Sequence, residues 1–159
     1  MAACERVAGV FRWTPAANLH LTVRFLGQVD VPVAETIAER VAAAEPRAFD
    51  LELAELGTFK RGAVARVVWL GLSAGAQEAA RVADLVEAEC VRDGLEPEKR
   101  RFSAHLTLAR ARARDGAALP ELPAPPRLPP WRADELILYR SHLGRSGSTY
   151  EPLRSVRLR

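Results

Sequence analysis

The sequence predicts a mixed α+β fold with antiparallel strands, built as a single domain over residues 1–159. Two segments carry apolar residues at helical spacing, whereas the segments around them alternate apolar and polar residues as strands do. Their order is strand, helix, two strands, helix, strand and a closing hairpin, which differs from the regular alternation of a doubly wound sheet. A hydrophobic content of 48% is sufficient for a core of its own.

The first half of the chain contains one helix and three strands. Residues 18–27 alternate, and they are predicted to form a strand with Phe25 on its apolar face. Residues 32–45 repeat apolar side chains at helical spacing and are bounded by prolines, which indicates a helix. Two further strands are predicted at 48–56 and 64–72, with a loop at 57–62 between them.

The second half begins with a helix at 75–93, which Gly94 is expected to end. A strand follows from about 103 to 110. Residues 119–130 contain so many prolines that they predict a stiff extended loop without regular structure. The closing hairpin is predicted at 134–140 and 149–158, with its turn at 144–148.

Charge and composition narrow the class of protein. The formal net charge is +3 and the pI is about 9.3, a weaker basic bias than that of a typical duplex-DNA binder. Nearly all the basic residues are arginine, which suits forked recognition of phosphate, although a GC-rich genome would give the same bias. No segment approaches the roughly 20 unbroken apolar residues of a membrane span, and the N-terminus lacks the apolar run of a secretory signal. We therefore expect a cytoplasmic protein without a membrane partner.

The two cysteines, Cys4 and Cys90, are too few for a disulfide framework. Neither has another cysteine or a histidine at the spacing of metal ligands. We expect both to be reduced packing thiols, and we expect neither a metal nor a cofactor.

A tripeptide, His-Leu-Thr, occurs twice, at 20–22 and at 105–107, and so uses two of the three histidines. Residues i and i+2 of a strand face the same way, so each histidine shares a face with its threonine. If two similar lobes face each other, two imidazoles and two hydroxyls converge on one cleft. The alternative is that both histidines are polar strand residues without a joint role.

The candidate site residues are therefore His20, Thr22, His105 and Thr107. One neutral imidazole can take a proton from water while an imidazolium protonates the leaving oxygen, because histidine titrates near the working pH. The threonine hydroxyls can donate to phosphate oxygens where charge develops in the transition state. No metal is required. The third histidine, His142, lacks a threonine two residues later, and a structural role is expected for it.

At these residues the sequence resembles the 2H phosphoesterase superfamily, and within it the RNA 2′,3′-cyclic phosphodiesterases, also called 2′-5′ RNA ligases. The matching segments are RWTPAANLHLTVRFLG (12–27), RRFSAHLTLAR (100–110) and ELILYRSHLGRSGSTYEPL (135–153). The resemblance covers nearly the whole chain. It implies a bilobal α+β fold with pseudo-two-fold symmetry and two antiparallel sheets flanked by helices.

The resemblance also implies roles for individual residues. His20 would be the proton donor, His105 the proton acceptor, and Thr22 and Thr107 would hold the phosphate. Arg110 matches a family arginine that contacts phosphate, although regular strand alternation would not place it on the face of His105 without a bulge. The substrate would be RNA ends or nucleotides with a 2′,3′-cyclic phosphate, with no obligate protein partner.

The chain departs from the family pattern at its N-terminus. Family members begin with a short apolar strand and a full helix, which are expected to be absent here, with residues 1–8 as the possible tail of that helix. The loss of that strand should expose a sheet edge.

Several alternatives stay open. Arg100, Arg101, Arg110, Arg112 and Arg114 crowd the second motif and form either an electropositive rim for RNA or an ordinary solvated face. Trp13 and Phe25 could stack on bases, but core packing is the expected role of both. The site could run backwards as a 2′-5′ ligase, or the chain could be a non-catalytic RNA-end binder.

Overall fold

The structure, a computed structural model, describes residues 9–119, 121–122, 124–144 and 147–159. Cys4 and the predicted helical tail at 1–8 lie outside the described residues. The chain divides into two compact units, each assembled from three separate segments. The first unit contains the segment that ends at Thr22, together with Glu52–Ala74 and Ala104–Pro130; the second contains Val23–Leu51, Gly75–Ser103 and Trp131–Arg159.

The first unit is an antiparallel sheet. Its strands are β1 (Phe11–Trp13), the main part of β2 (Phe49–Arg61), β3 (Val64–Ala74) and β4 (His105–Ala111). β4 lies between β1 and β3, and β2 pairs with the other edge of β3. Because strand side chains alternate, one face of this sheet forms a core while the other is available for function. The buried apolar side chains include Phe11, Ala65, Val68, Leu70, Leu106, Leu108 and Ala109.

The second unit contains both α-helices of the described residues. They are α1 (Val31–Ala43) and α2 (Ala76–Arg92), and the strands are β5 (Trp131–Ala133), β6 (Glu135–Gly144) and β7 (Gly147–Arg157). β6 and β7 form an antiparallel hairpin, and β5 pairs with the first three residues of β2. The core of this unit is made by Ile37, Val41, Cys90 and Val156.

An ion-pair network joins the two helices of the second unit. The Arg40 guanidinium of α1 lies 2.6 Å from a carboxylate oxygen of Glu89 and 2.7 Å from one of Asp93. Glu89 is in α2 and Asp93 follows its last residue. The network therefore connects the ends of the helices beside the apolar contact of Val41 and Cys90.

One glycine is required at the start of α2. Gly75 precedes the helix with φ +80°, a left-handed conformation that favours glycine. A Cβ at this position would also lie only 2.5 Å from the carbonyl oxygen of Asp50. The close approach of the two backbones therefore excludes a larger residue.

The α+β class and both predicted helices are confirmed, but several strand boundaries are wrong. In the closing hairpin, β6 continues to Gly144 and β7 already begins at Gly147. The loop expected at 57–62 is shorter, because β2 and β3 continue to Arg61 and Val64 around a turn at 62–63 in which Gly62 has φ +59°. The strand expected at 18–27 is reduced to a single bridge at Leu21, since a 3₁₀ turn at Ala16–Asn18 diverts the backbone just before it.

The prediction that Phe25 packs in the core is also wrong. Its side chain is 69% exposed. Alternation predicts burial only where a segment is paired into a sheet, and the backbone around Phe25 has no ladder partner among the described residues. In the proline-rich segment at 119–130, the described residues carry neither helix nor strand. Arg145 and Ser146 of the predicted hairpin turn lie outside the described residues.

Cys90 is predicted to be chemically inert in the folded protein. Its side chain is fully buried, and burial raises the pKa of the thiol because the thiolate is poorly solvated there. In a Cys4→Ser variant, which leaves Cys90 as the one cysteine, labelling by a thiol reagent should be slow in buffer and rapid in denaturant. Rapid labelling under native conditions would contradict the burial of this side chain.

No helix among the described residues is long and apolar enough to cross a membrane.

Candidate active site

The two His-Leu-Thr motifs lie side by side in the first unit. Leu21 forms an antiparallel bridge with Leu106, the central residue of the second motif. In an antiparallel pair, directly opposite residues project to the same face, and their immediate neighbours project to the other. Because Leu106 is buried in the core, the flanking residues of both motifs lie on the opposite face.

This bridge sets the arrangement of the four predicted residues. His20 is across from Thr107, and Thr22 is across from His105, so the two histidines are diagonal neighbours. Diagonal positions of an antiparallel pair are separated by about 7–8 Å, a gap that can accept a phosphate between two imidazoles. All four side chains are partly buried, which leaves them accessible to a ligand.

The bridge between the two motifs lies within one compact unit. Both belong to the same compact unit and lie on adjacent backbone segments. The two halves of the sequence do each contribute one histidine, as the repeat predicted. The sheet itself supplies their spacing, because a single register determines where both motifs lie.

The imidazole of His20 is oriented by the backbone. Its Nδ1 lies 2.8 Å from the carbonyl oxygen of Asn18. A carbonyl only accepts hydrogen bonds, so we assign the proton to Nδ1. Nε2 is then the ring atom that can exchange a proton with a substrate. Asn18 is the last residue of the 3₁₀ turn that precedes the motif, so this turn has a direct effect on the histidine.

The imidazole of His105 packs against two aromatic side chains that the sequence did not indicate. Its ring centroid is 4.9 Å from that of Phe59, edge to face at 89°, and 6.2 Å from that of Trp69. The indole lies over Gly57, where an added Cβ would be only 2.2 Å from its ring atoms. A glycine on β2 therefore permits the position of Trp69, and Trp69 and Phe59 support His105.

Arg110 lies on the same face as His105 and Thr107 because β4 contains a bulge. Thr107 pairs with Trp69, and Arg110 pairs with Val67. The two partners are two residues apart on β3, whereas Thr107 and Arg110 are three residues apart on β4. The additional residue is Leu108, which has no partner on β3 and is buried. The bulge required by the sequence analysis is therefore present, and it turns the exposed Arg110 toward the candidate site.

Two further charged residues share this face and were missed at the sequence level. Arg12 of β1 is directly opposite Arg110, and Glu55 of β2 is opposite Gly71, which is itself opposite His105. Only the cross-strand pairing in the sheet shows that Arg12 and Glu55 lie on the face of His105. Neither belongs to the repeated motif; Arg12 is the first residue of the segment 12–27 that resembles the family, whereas Glu55 lies outside every such segment.

The remaining histidine has a structural partner. His142 Nε2 lies 2.9 Å from the Glu151 carboxylate across the β6–β7 hairpin, and this contact lowers the pKa of Glu151. Both side chains are exposed. His142 belongs to the second unit, whereas both motif histidines belong to the first.

The arginine rim stays a prediction: Arg112 and Arg114 are exposed in the first unit, and Arg100 and Arg101 in the second.

The chain matches the model of the LigT-like phosphoesterases over residues 4–69 and 70–150. It belongs to this family. The whole of both motifs falls inside the matched ranges, as does Arg110. The resemblance to the 2H phosphoesterases is therefore confirmed.

Curated and solved LigT-like proteins support this assignment. The RNA 2′,3′-cyclic phosphodiesterase of Aeropyrum pernix is 45% identical over 106 residues, which cover 66% of this chain and 60% of that protein. The Escherichia coli protein of the same name is 30% identical over 139 residues, covering 87% of this chain and 75% of that protein. The crystal structure of E. coli LigT with 3′-AMP has a TM-score of 0.81 at 28% identity, covering 95% of this chain and 83% of that one.

The match to the Aeropyrum protein thus spans less than two thirds of that relative. The fold is that of a LigT-like phosphoesterase, and both histidine motifs lie within the part that is shared.

Proposed function

We propose that this LigT-like phosphoesterase is an RNA 2′,3′-cyclic phosphodiesterase, which opens cyclic phosphates at RNA ends to leave a 2′-phosphate. The observation that carries the proposal is the antiparallel contact of Leu21 with Leu106, which places two His–Thr pairs on one face. The relatives from Aeropyrum pernix and Escherichia coli carry this name, and E. coli LigT has been crystallised with a nucleotide.

In the proposed reaction His105 removes a proton from the attacking water, and the water oxygen bonds to phosphorus. The bond from phosphorus to the 3′ oxygen breaks, and His20 donates its Nε2 proton to that oxygen. The Nδ1–H of His20 donates a hydrogen bond to the Asn18 carbonyl oxygen in both protonation states, so the ring keeps its orientation while Nε2 donates its proton and is reprotonated. The net change is the addition of one water across the ester.

The phosphate would be held by Thr22, Thr107 and Arg110. Hydroxyl and guanidinium donors fixed before the reaction stabilise the charge that develops on the non-bridging oxygens. The contacts of His105 with Phe59 and Trp69 restrict its ring, so that the base is positioned before the substrate arrives. Three groups of donors and a positioned acid and base are sufficient for this reaction without a metal ion.

The test is the product of a defined substrate. Adenosine 2′,3′-cyclic phosphate should give adenosine 2′-phosphate as the single product by chromatography, with the same rate in the presence of excess EDTA. Formation of the 3′-phosphate would show that the 2′ oxygen leaves instead of the 3′ oxygen, and would contradict the proposed roles of His20 and His105. A rate abolished by EDTA and restored by a metal ion would contradict the proposed metal-independent reaction.

The same incubation with added RNA 5′-hydroxyl ends measures ligation, in which a 5′-hydroxyl oxygen replaces water as the nucleophile and the 3′ oxygen again leaves. The same base can deprotonate either nucleophile and the same acid can protonate the 3′ oxygen, so a 2′-5′-linked product would identify ligase activity in the same site. Binding of the 2′-phosphate without turnover would instead favour an RNA-end binder.

A further inference from the structure

Two arginines from neighbouring strands project side by side next to the histidines. Arg12 of β1 and Arg110 of β4 are directly opposite in register, and both are exposed. Opposite positions are roughly 4.5–5.5 Å apart at their Cα atoms. Two guanidiniums side by side at a candidate site can share one anionic group of a ligand.

The distance from this pair to the catalytic residues is set by β3. Val67, opposite Arg110, and Trp69, opposite Thr107, are two residues apart on that strand. Two strand rises amount to about 7 Å, so the arginine pair lies one row beyond the row of His20 and Thr107. Successive phosphates of an RNA strand are separated by one ribose and its 5′ methylene, a distance of the same order.

The face is also polarised. The arginine pair lies at one end, whereas Glu55 lies at the opposite end, beyond Gly71 and His105. A phosphate backbone that leaves the catalytic row is therefore attracted toward Arg12 and repelled from Glu55. This charge difference gives the bound strand one favoured direction.

We propose that Arg12, together with Arg110, binds the phosphate on the 5′ side of the terminal nucleotide, so that an RNA end is recognised through two phosphates. The inference rests on the proposed function, because it takes the His–Thr row as the site of the cyclic phosphate. Arg12 is then a specificity residue that separates an RNA end from a nucleoside cyclic phosphate. Arg110 is on the same strand as Thr107 and directly opposite Arg12, so it can contact both phosphates.

The experiment measures equilibrium binding, which does not depend on turnover. Adenosine 2′,5′-bisphosphate is compared with adenosine 2′-phosphate by calorimetry, and the wild-type protein should bind the bisphosphate about tenfold more tightly or better, as a charged hydrogen-bonded contact implies. In Arg12→Gln this preference should fall about tenfold, toward equal affinity. Arg12→Lys should retain part of it, since lysine keeps the charge but loses the fork.

The matched control is Arg81→Gln, which removes the same charge from an arginine on α2 whose side chain is 73% exposed. It should leave the preference at the wild-type value. An equal loss in Arg81→Gln and Arg12→Gln would show long-range attraction, and would overturn the assignment of a site to Arg12.

Two other results would also overturn the inference. One is equal wild-type affinity for both ligands, and the other is a parallel loss of affinity for both in Arg12→Gln. A wild-type protein that binds the bisphosphate preferentially but opens no cyclic phosphate would refute the proposed function and leave this site in place.

Discussion

Replacement of His105 by alanine is expected to lower kcat for a 2′,3′-cyclic phosphate by about 10²-fold or more, and His20→Ala should have an effect of the same size. Each variant removes one of the two proton transfers, while Thr22 and Thr107 continue to bind the phosphate. The loss should therefore appear in kcat more than in KM. The double variant should be little worse than either single one, because a concerted pair fails as a unit.

The third histidine provides the control. His142→Ala removes an imidazole whose partner is Glu151 on an exposed hairpin of the second unit, so kcat should stay within about twofold of wild type. Thermal unfolding of all three variants should be similar, since none of the histidines is fully buried. Near-full turnover in His20→Ala or His105→Ala would refute the proposed mechanism.

Phe11→Ala is expected to reduce the free energy of unfolding by about 3–5 kcal/mol, a large part of the typical stability of a domain. The Phe11 side chain is 1% exposed and belongs to β1, which pairs with β4 at Ala111. Its removal leaves a cavity beneath the strand that also carries Arg12. The measurement is urea unfolding followed by circular dichroism.

Phe25→Ala is the matched comparison, because it makes the same chemical change at a side chain that is 69% exposed. Its effect should stay within about 0.5 kcal/mol. If Phe25→Ala were as destabilising as Phe11→Ala, the sequence-based prediction that Phe25 is a core residue would be correct after all.

The repeated tripeptide predicted the candidate catalytic residues, because alternation in a strand is a local property of the chain. Which residues join them on the same face depends on register, and register is set by contacts between distant segments. The faces of Arg12 and Glu55 follow from pairings with Arg110 and Gly71, which no local pattern encodes. The same limit explains the error at Phe25, whose alternating segment is not paired into the sheet.

The contacts of His105 with Phe59 and Trp69 could not be predicted from the sequence either. Phe59 fell in a predicted loop, whereas β2 continues through it to Arg61. Once the strand is extended, Phe59 and Val67 are opposite one another, and Phe59 lies on the face of His105. A loop containing glycines and charged residues was the natural interpretation, but the long partner strand β3 overrides these local preferences.

The bulge at Leu108 has a consequence for how the linear motif is written. In β4 the outward-facing polar residues follow one another at a spacing of two and then three, from His105 to Thr107 to Arg110, because Leu108 and Ala109 both turn inward. The uneven spacing of the outward-facing residues therefore corresponds to the bulge at Leu108. A relative with the same three-residue spacing but a regular strand without the bulge would keep every letter of the motif, yet its guanidinium would point into the hydrocarbon interior.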